Sequence, residues 1–318
     1  VAVARLTHGH VLWVFERADK RDIELVGINE PDDEIADRYA RKFGFDRHLL
    51  HTNLDRMFAA ARPRAVAAFG SIGEHLAVVE AAAPYGIHVM VEKPVAFSLE
   101  DAARIEALAK RHGIHVLTNY ETTWYRSGYT AYELVHKTGA IGSIRKLIIR
   151  DGHFGPKELN VPPEFLSWLT DPEQNGGGAL IDFGCYGANL ATWLMHGALP
   201  KSVTAVTQQL KDDPTYARVE DEATVILTYA NAQAIIQGSW NWPDHRKDLE
   251  IFGTHGYVFT PDASNVRLRL RGDFDEKAVV PAELDSSHGN WLAYLGAVVR
   301  GEVRVAETDR SSVANNPS

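Results

Sequence analysis

Three side chains far apart in the sequence have the chemistry of a proton-transfer site: Lys93, Asp182 and Tyr186. Lys93 lies between an apolar run at 86–91 and a capped helix start at 98–101, so it is predicted at the carboxyl end of a buried strand. Ligands collect at that edge of an open α/β sheet, and burial or a neighbouring cation can lower a lysine pKa toward neutrality. The alternative is a solvated lysine at a strand end.

Asp182 and Tyr186 follow the glycine run 176–178 and lie four residues apart, so they share a face if a helix begins there. Close to Lys93, a carboxylate and a phenol form an acid–base set for alcohol or carbonyl chemistry, in which hydride leaves carbon while a proton leaves oxygen. A phenol titrates at about 10 and needs a nearby cation to act at neutral pH. Alternatively, Asp182 caps a helix and Tyr186 packs with its hydroxyl hydrogen bonded.

The elements that must position these residues change character along the chain. Strands are predicted at 1–6, 23–29, 65–69, 87–91 and 114–118, and helices at 33–43, 74–85 and 99–112. Alternating strands and helices form a parallel sheet with right-handed crossovers. From residue 202 onward the pattern has a period of two, which predicts an antiparallel sheet with one packed face. We expect the boundary between the two parts near 119–127.

A parallel-sheet domain that begins at the first strand suggests a dinucleotide site, whose usual fingerprint is G-x-G-x-x-G. The corresponding residues here are Arg5, Leu6, Thr7, His8, Gly9 and His10, so all three glycine positions are substituted. Thr7 and Gly9 are small enough to let a phosphate reach backbone N–H groups, and His8 and His10 could donate hydrogen bonds. Arg5 is disfavoured where the backbone must be permissive.

Glu30 ends the second predicted strand. A carboxylate there accepts hydrogen bonds from ribose hydroxyls and repels a 2′-phosphate, so it favours NAD over NADP, which stays open as the alternative. Glu30 could instead supply negative charge at a helix start together with Asp32 and Asp33.

The pair His8 and His10 also has the H-x-H spacing of metal ligands in barrel hydrolases. That interpretation needs further ligands at later strand ends of a βα-repeating chain, whereas the second half here is β-rich. We therefore expect no metal.

The stretches 89–94, 176–186 and 139–142 together resemble the Gfo/Idh/MocA oxidoreductases, the glucose–fructose oxidoreductase and inositol dehydrogenase family. The resemblance covers nearly the whole chain. It implies an α/β protein with an N-terminal Rossmann domain, here 1–121, and a C-terminal α+β domain, here 122–318, with a large, mostly antiparallel open sheet. In the family that sheet commonly buries itself against another subunit, so we expect a homodimer or homotetramer.

The resemblance also implies residue roles. Lys93 is the catalytic lysine, Asp182 holds substrate hydroxyls, and Tyr186 is the acid–base, as in the glucose–fructose oxidoreductase and dihydrodiol dehydrogenase branch; many other members have histidine there. The expected cofactor-binding residues are Thr7, His8, Gly9, His10, Glu30, Ser71, His75, Glu92, Lys93 and Asn119. The expected substrate-binding residues are Lys93, Trp124, Tyr125, Arg126, Asp182 and Tyr186.

We therefore predict an NAD(P)-dependent oxidoreductase that transfers a hydride between nicotinamide and a sugar, polyol, inositol or related cyclic alcohol, with Tyr186 and Lys93 exchanging the proton. The alternative is a non-catalytic nucleotide- and sugar-sensing regulatory protein on the same fold. The substituted glycine loop favours the alternative, whereas the intact set of Lys93, Asp182 and Tyr186 disfavours it.

Composition limits the other functional classes. The net charge of −9 argues against a nucleic-acid surface, which needs a basic patch. The single cysteine, Cys185, excludes an internal disulfide framework and fits a cytoplasmic protein. No apolar stretch approaches the length of a membrane span. The family has a closing helix after a stretch like Asn315-Asn316, so we expect a shortened chain.

Overall fold

The computed structural model describes residues 1–17, 23–306 and 309–315. Its first sheet is parallel, and the strands are β1 (Ala2–Ala4), β2 (Gly27–Asn29), β3 (Leu50–His51), β4 (Ala65–Ala68), β5 (His88–Glu92) and β6 (Val116–Asn119). They lie in the order β3-β2-β1-β4-β5-β6. This is the doubly wound Rossmann order, in which a crevice opens where the chain switches from one side of β1 to the other.

Five helices connect these strands: α1 (Leu12–Phe15), α2 (Asp33–Phe43), α3 (Leu54–Ala61), α4 (His75–Ala82) and α5 (Leu99–His112). Local signals set their ends. Ser98 accepts a hydrogen bond from the Asp101 N–H at the start of α5, and Gly113, with a φ of 64°, ends that helix. The predicted helix 74–85 is shorter because its last turn is a 3₁₀ turn that contains Pro84.

The second sheet has eight strands: β7 (Ile144–Gly152), β8 (Ser202–Gln208), β9 (Glu222–Thr228), β10 (Gln233–Ser239), β11 (Arg246–Gly253), β12 (Gly256–Thr260), β13 (Val266–Leu270) and β14 (Lys277–Val279). Their order is β14-β13-β12-β11-β7-β10-β9-β8. Only β7 and β10 pair in parallel among these neighbours, so the prediction of a mostly antiparallel sheet is confirmed.

The remaining helices are α6 (Arg126–Tyr132), α7 (Pro163–Leu169), α8 (Pro172–Asn175), α9 (Cys185–Leu194) and α10 (Trp291–Arg300). One face of the second sheet packs against α6 and α9, and this core contains Leu147, Leu190 and Ile236. The last helix returns to the first sheet, where Trp291 and Leu295 join the N-terminal core. Within the described ranges, no helix has the length and apolar character needed to cross a membrane.

Candidate active site

Lys93 directly follows β5, at the edge of the parallel sheet. Its ammonium donates to the backbone carbonyl of Asp182 at 2.7 Å and forms a buried salt bridge with the carboxylate of the same residue. Burial by itself lowers the pKa of Lys93, but the Asp182 carboxylate outweighs it, so the pKa lies above its ordinary value. Lys93 is therefore a charged ammonium, and the expectation of a pKa lowered toward neutrality is wrong for this conformation.

Asp182 is held in a single π-helical turn, Leu180–Gly184, between the glycine run and α9. A Cβ atom at Gly178 would lie 1.9 Å from the carbonyl oxygen of Glu220, so the close approach that positions this turn needs a glycine. The indole N–H of Trp240 donates to Asp182 at 3.0 Å. Burial raises the pKa of Asp182, but the Lys93 ammonium prevails and lowers it to about 2.

Tyr186 lies in the first turn of α9 and is buried. The Lys93 Nζ lies 5.2 Å from the centre of its ring and the Lys247 Nζ lies 4.4 Å from it. Burial raises the pKa of Tyr186 well above its ordinary value, and the carboxylates of Glu121 and Asp151 raise it further. In this structure Tyr186 is thus a protonated phenol close to two cations, which suits it to donate a proton.

Sequence reasoning missed a charged cluster beside the phenol. Lys247 donates to Glu121 at 2.6 Å and lies 3.8 Å from Asp151. Burial lowers the pKa of Lys247, but the two carboxylates prevail and raise it. Three consecutive charged residues, Arg246-Lys247-Asp248, begin the otherwise half-buried strand β11, and that unusual pattern is the signal that could have identified Lys247.

Residues of both domains line an open cavity of about 490 Å³. Six of the predicted site residues line it: His8, His10, Lys93, Tyr125, Asp182 and Tyr186. The structure therefore brings together the lysine, the carboxylate and the phenol, as the sequence analysis expected. His153 also lines the cavity and was missed; burial lowers its pKa to about 4, so its ring is neutral at neutral pH.

Trp124 and Arg126 do not line this cavity, and their contact with a substrate stays a prediction. The 3₁₀ turn Glu121–Trp124 directs Tyr125 inward and its neighbours away. The Trp124 indole N–H donates to the Asn119 side chain at 3.0 Å, and Arg126 forms an ion pair with Glu283.

Three predicted cofactor residues have hydrogen-bond partners within the chain. The Ser71 hydroxyl lies 3.3 Å from Glu74, His75 Nδ1 lies 3.1 Å from the Val95 carbonyl oxygen, and the Thr7 hydroxyl donates to the Phe69 carbonyl at 3.4 Å. Ser71 and His75 are buried, and His75 Nε2 has no partner within the described residues. Their contact with a cofactor stays a prediction.

Glu30 and Arg5 meet at the adenosine side of the Rossmann crevice. Glu30 is buried at the end of β2 and accepts from the N–H groups of Leu6, at 2.9 Å, and Asp32, at 3.1 Å. Arg5 has a φ of 67°, the left-handed region that the first glycine of the fingerprint favours. Its guanidinium spans the crevice, lying 3.3 Å from Glu30 and forming a salt bridge with Glu74.

His10 contacts a second carboxylate at the other end of the crevice. Its Nδ1 lies 2.9 Å from one Glu92 oxygen, while the Asn119 amide donates to the other oxygen at 2.8 Å. His8, His10 and Glu92 lie close enough to hold a metal. In this structure His8 Nδ1 accepts from the backbone N–H of His10 at 3.0 Å and His10 Nδ1 lies 2.9 Å from a Glu92 oxygen, so these two nitrogens are hydrogen bonded within the chain.

The residues present fit NAD. The strand order supplies the crevice, and Glu92 with Asn119 lies at the ends of β5 and β6. Glu30 would be the acceptor for the adenosine ribose and would disfavour a 2′-phosphate. Arg5 and His10 contact the same two carboxylates in this structure.

Comparison with known proteins gives matches over both domains. Residues 8–120 match the model of an oxidoreductase family with an NAD-binding Rossmann fold, and residues 130–259 match the GFO/IDH/MocA C-terminal domain. A dTDP-3,4-didehydro-2,6-dideoxy-alpha-D-glucose 3-reductase of Saccharopolyspora spinosa is 25% identical over 279 residues, which cover 83% of this chain and 77% of the relative.

Two solved structures share the fold across both domains. One is an aldose-aldose oxidoreductase from Caulobacter crescentus complexed with glycerol, with a TM-score of 0.79, 23% identity and coverage of 99% of this chain and 94% of that one. The other is an inositol dehydrogenase homolog from Azotobacter vinelandii complexed with NAD⁺, with a TM-score of 0.80, 19% identity and coverage of 95% and 87%. At these identities the likeness shows the fold.

Proposed function

The chain belongs to the Gfo/Idh/MocA oxidoreductases, whose N-terminal domain is an NAD-binding Rossmann fold, and on this basis we propose that it transfers a hydride between nicotinamide and a CH–OH group of a sugar, polyol, inositol or related cyclic alcohol. The observation that carries the proposal is the meeting of Lys93, Asp182 and Tyr186 at one cavity beside the Rossmann crevice.

Each of the three side chains has a distinct role in this proposal. Bound NAD supplies the hydride acceptor or donor. The Tyr186 phenol exchanges a proton with the substrate oxygen, since it is protonated in the structure and faces the cavity. The Lys93 ammonium stabilises negative charge on that oxygen, and Asp182 orients it and accepts from substrate hydroxyls. Lys93 thus assists the proton exchange as a fixed charge.

The cavity supports a small hydroxylated substrate. Its volume of about 490 Å³ falls in the range of ligand pockets, and its polar groups come from several directions, including His8, His153 and Asp182. The rings of Phe165 and Phe183 add apolar surface suited to the C–H faces of a sugar ring. Relatives named as sugar reductases and inositol dehydrogenase homologs point to the same class.

Turnover tests this function directly. The protein is incubated with NAD and a panel of sugars, polyols and inositols while nicotinamide absorbance is followed. We expect at least one substrate to react, and Lys93→Met to lower its kcat by about 10²-fold or more while NADH binding is retained, because the ammonium acts mainly as charge develops on oxygen. Normal turnover by Lys93→Met would show that the role assigned to Lys93 is wrong.

A sensing protein on the same fold is the second candidate. The contacts that Arg5 and His10 make with Glu30 and Glu92 favour it, because they engage groups that a cofactor needs. NADH binding without turnover across the whole panel, in the wild type and under both reaction directions, would support this candidate over the enzyme.

We also propose a cytoplasmic homodimer or homotetramer that assembles through the C-terminal sheet. The face of that sheet opposite α6 and α9 carries a cross-strand row of Ile148, Ile235 and Ile226. An apolar row of this kind on an uncovered sheet suits a second copy of the chain.

A further inference from the structure

We propose that the loop of residues 5–10 competes with NAD for its own site: Arg5 engages the carboxylate that receives the adenosine ribose, and His10 engages the one at the nicotinamide end. This inference rests on the proposed NAD-dependent function and deepens it by naming two residues that set cofactor affinity. The inference rests on the hydrogen bonds that Glu30 and Glu92 already form within the chain.

At the adenosine end, the chain itself uses three of the about four acceptor sites of the Glu30 carboxylate. One oxygen accepts from the Leu6 N–H, and the other accepts from the Asp32 N–H and the Arg5 guanidinium. Ribose hydroxyls can donate to a carboxylate only where a lone pair is accessible. The N–H groups of Leu6 and Asp32 belong to the backbone. The Arg5 side chain, in contrast, is 28% exposed and can turn away from Glu30. Displacement of Arg5 therefore frees an acceptor site of Glu30 for a ribose hydroxyl.

Arg5 is held in a conformation that an L-residue rarely adopts, with its φ of 67°. The side chain forms salt bridges to two elements, Glu30 after β2 and Glu74 before α4. The guanidinium thus lies across the crevice between the two sides of the sheet at the switch point, where a dinucleotide binds in this fold. A glycine at this position would have the same backbone and no side chain across the crevice.

At the nicotinamide end, His10 Nδ1 lies 2.9 Å from one oxygen of the buried Glu92. The other oxygen is bound by Asn119, and the His10 ring is stacked on Trp13 at 3.8 Å between ring centres. The imidazole therefore lies where a ribose hydroxyl would reach Glu92 beside Lys93. Because the contacts at the two ends involve different side chains, each can be removed separately.

The test compares binding of ADP, nicotinamide mononucleotide and NADH by isothermal titration calorimetry. Arg5→Gly should increase the affinity for ADP and NADH by about tenfold and leave the affinity for nicotinamide mononucleotide unchanged. A tenfold change is expected if Arg5 is turned away from Glu30 in about one wild-type molecule in ten. His10→Ala should increase the affinity for nicotinamide mononucleotide and NADH and leave the affinity for ADP unchanged. Neither effect needs a turnover assay.

Matched controls separate these effects from changes in backbone or charge. Arg62 also has a left-handed backbone, with a φ of 45°, but is exposed at the end of α3, so Arg62→Gly should leave all three affinities unchanged. His48 forms an exposed pair with Asp46, so His48→Ala is the control for His10→Ala. If Arg5→Gly does not fold, Arg5→Asn removes the charge with a residue that tolerates this backbone.

Unchanged or weaker ADP and NADH binding by both Arg5 variants would overturn the inference, because Arg5 would then be neutral or a ligand of the nucleotide. The proposed function would still stand if the wild type turned over a substrate. Conversely, tighter binding by the variants without turnover on any sugar would support the competition and count against the enzyme.

Discussion

At the residue scale, charge pairing decides the chemistry of this site more than burial does. A buried lysine by itself would lose its proton, but Asp182 keeps Lys93 charged, and Lys93 in turn keeps Asp182 ionised. The Tyr186 phenol, by contrast, has its pKa raised by burial and nearby carboxylates, which keeps it protonated. The three groups therefore have separate protonation states at neutral pH, which is what an acid assisted by a fixed cation requires.

The pH dependence of stability should reveal the buried histidine of the cavity. Burial lowers the pKa of His153 to about 4, whereas the unfolded chain has an ordinary value of about 6.5. The unfolded state thus binds a proton that the folded state does not as pH falls from about 6.5 to 4, so stability falls over that window by up to about 1.4 kcal/mol per pH unit from this group.

His153→Asn should remove that slope and keep the hydrogen bond, since an asparagine oxygen can accept from the Gly155 N–H that now donates to His153 Nδ1 at 3.0 Å. Urea unfolding at pH 7, 6 and 5 measures the slope. The exposed His48 provides the control His48→Asn, which should follow the wild type. Equal slopes in all three proteins would mean that His153 titrates normally.

At the element scale, two short and unusual segments carry the site, while the regular helices and strands hold them in place. One is the loop after β1, with Arg5 in a left-handed conformation; the other is the glycine run with the π-helical turn before α9. The Glu220 side chain holds the second segment in place, because it accepts hydrogen bonds from the N–H groups of Gly178 and Leu180 at 2.8 and 2.9 Å. Contacts with distant parts of the chain therefore position both segments.

Gly178→Ala should show how tightly the glycine run is fitted. A Cβ atom there would lie 1.9 Å from the Glu220 carbonyl oxygen, so the backbone must shift, and we expect a loss of about 2 kcal/mol or more in the free energy of unfolding. Urea unfolding measures the loss. Gly289→Ala is the matched control, since its Cβ would have its nearest neighbour at 3.7 Å. Equal unfolding midpoints for the two variants would contradict the close approach.

At the scale of the whole molecule, the active-site cavity depends on two sheets with different roles. The parallel sheet presents Lys93 at its carboxyl edge, and the second sheet supports α9 with Tyr186 and contributes Lys247 from β11. Closure of the cavity therefore requires that the domains stay docked, and α10 contributes to this by packing back onto the first sheet. The uncovered face of the second sheet remains available for assembly.

Ile235→Glu tests assembly through that face. Ile235 pairs with Ile148 of β7 and Ile226 of β9, so a buried carboxylate at this central position should convert the oligomer into a monomer in size-exclusion chromatography with light scattering. Val203→Glu, on an exposed strand position paired with the core-facing Leu227, serves as the control and should keep the wild-type mass. An oligomer that survives Ile235→Glu must use another surface.

The sequence alone determined the alternation of strands and helices in the first part, the edge on which Lys93 lies and the shared face of Asp182 and Tyr186, because strand ends, caps and four-residue spacing are local properties of the chain. It did not predict the short elements β3, α1 and α3. Only the tertiary structure decided that Lys93 is charged, that Tyr125 points inward while Trp124 and Arg126 do not, and that Lys247 joins the site. These features depend on contacts between segments distant in sequence, and side-chain direction and pKa are set by such contacts.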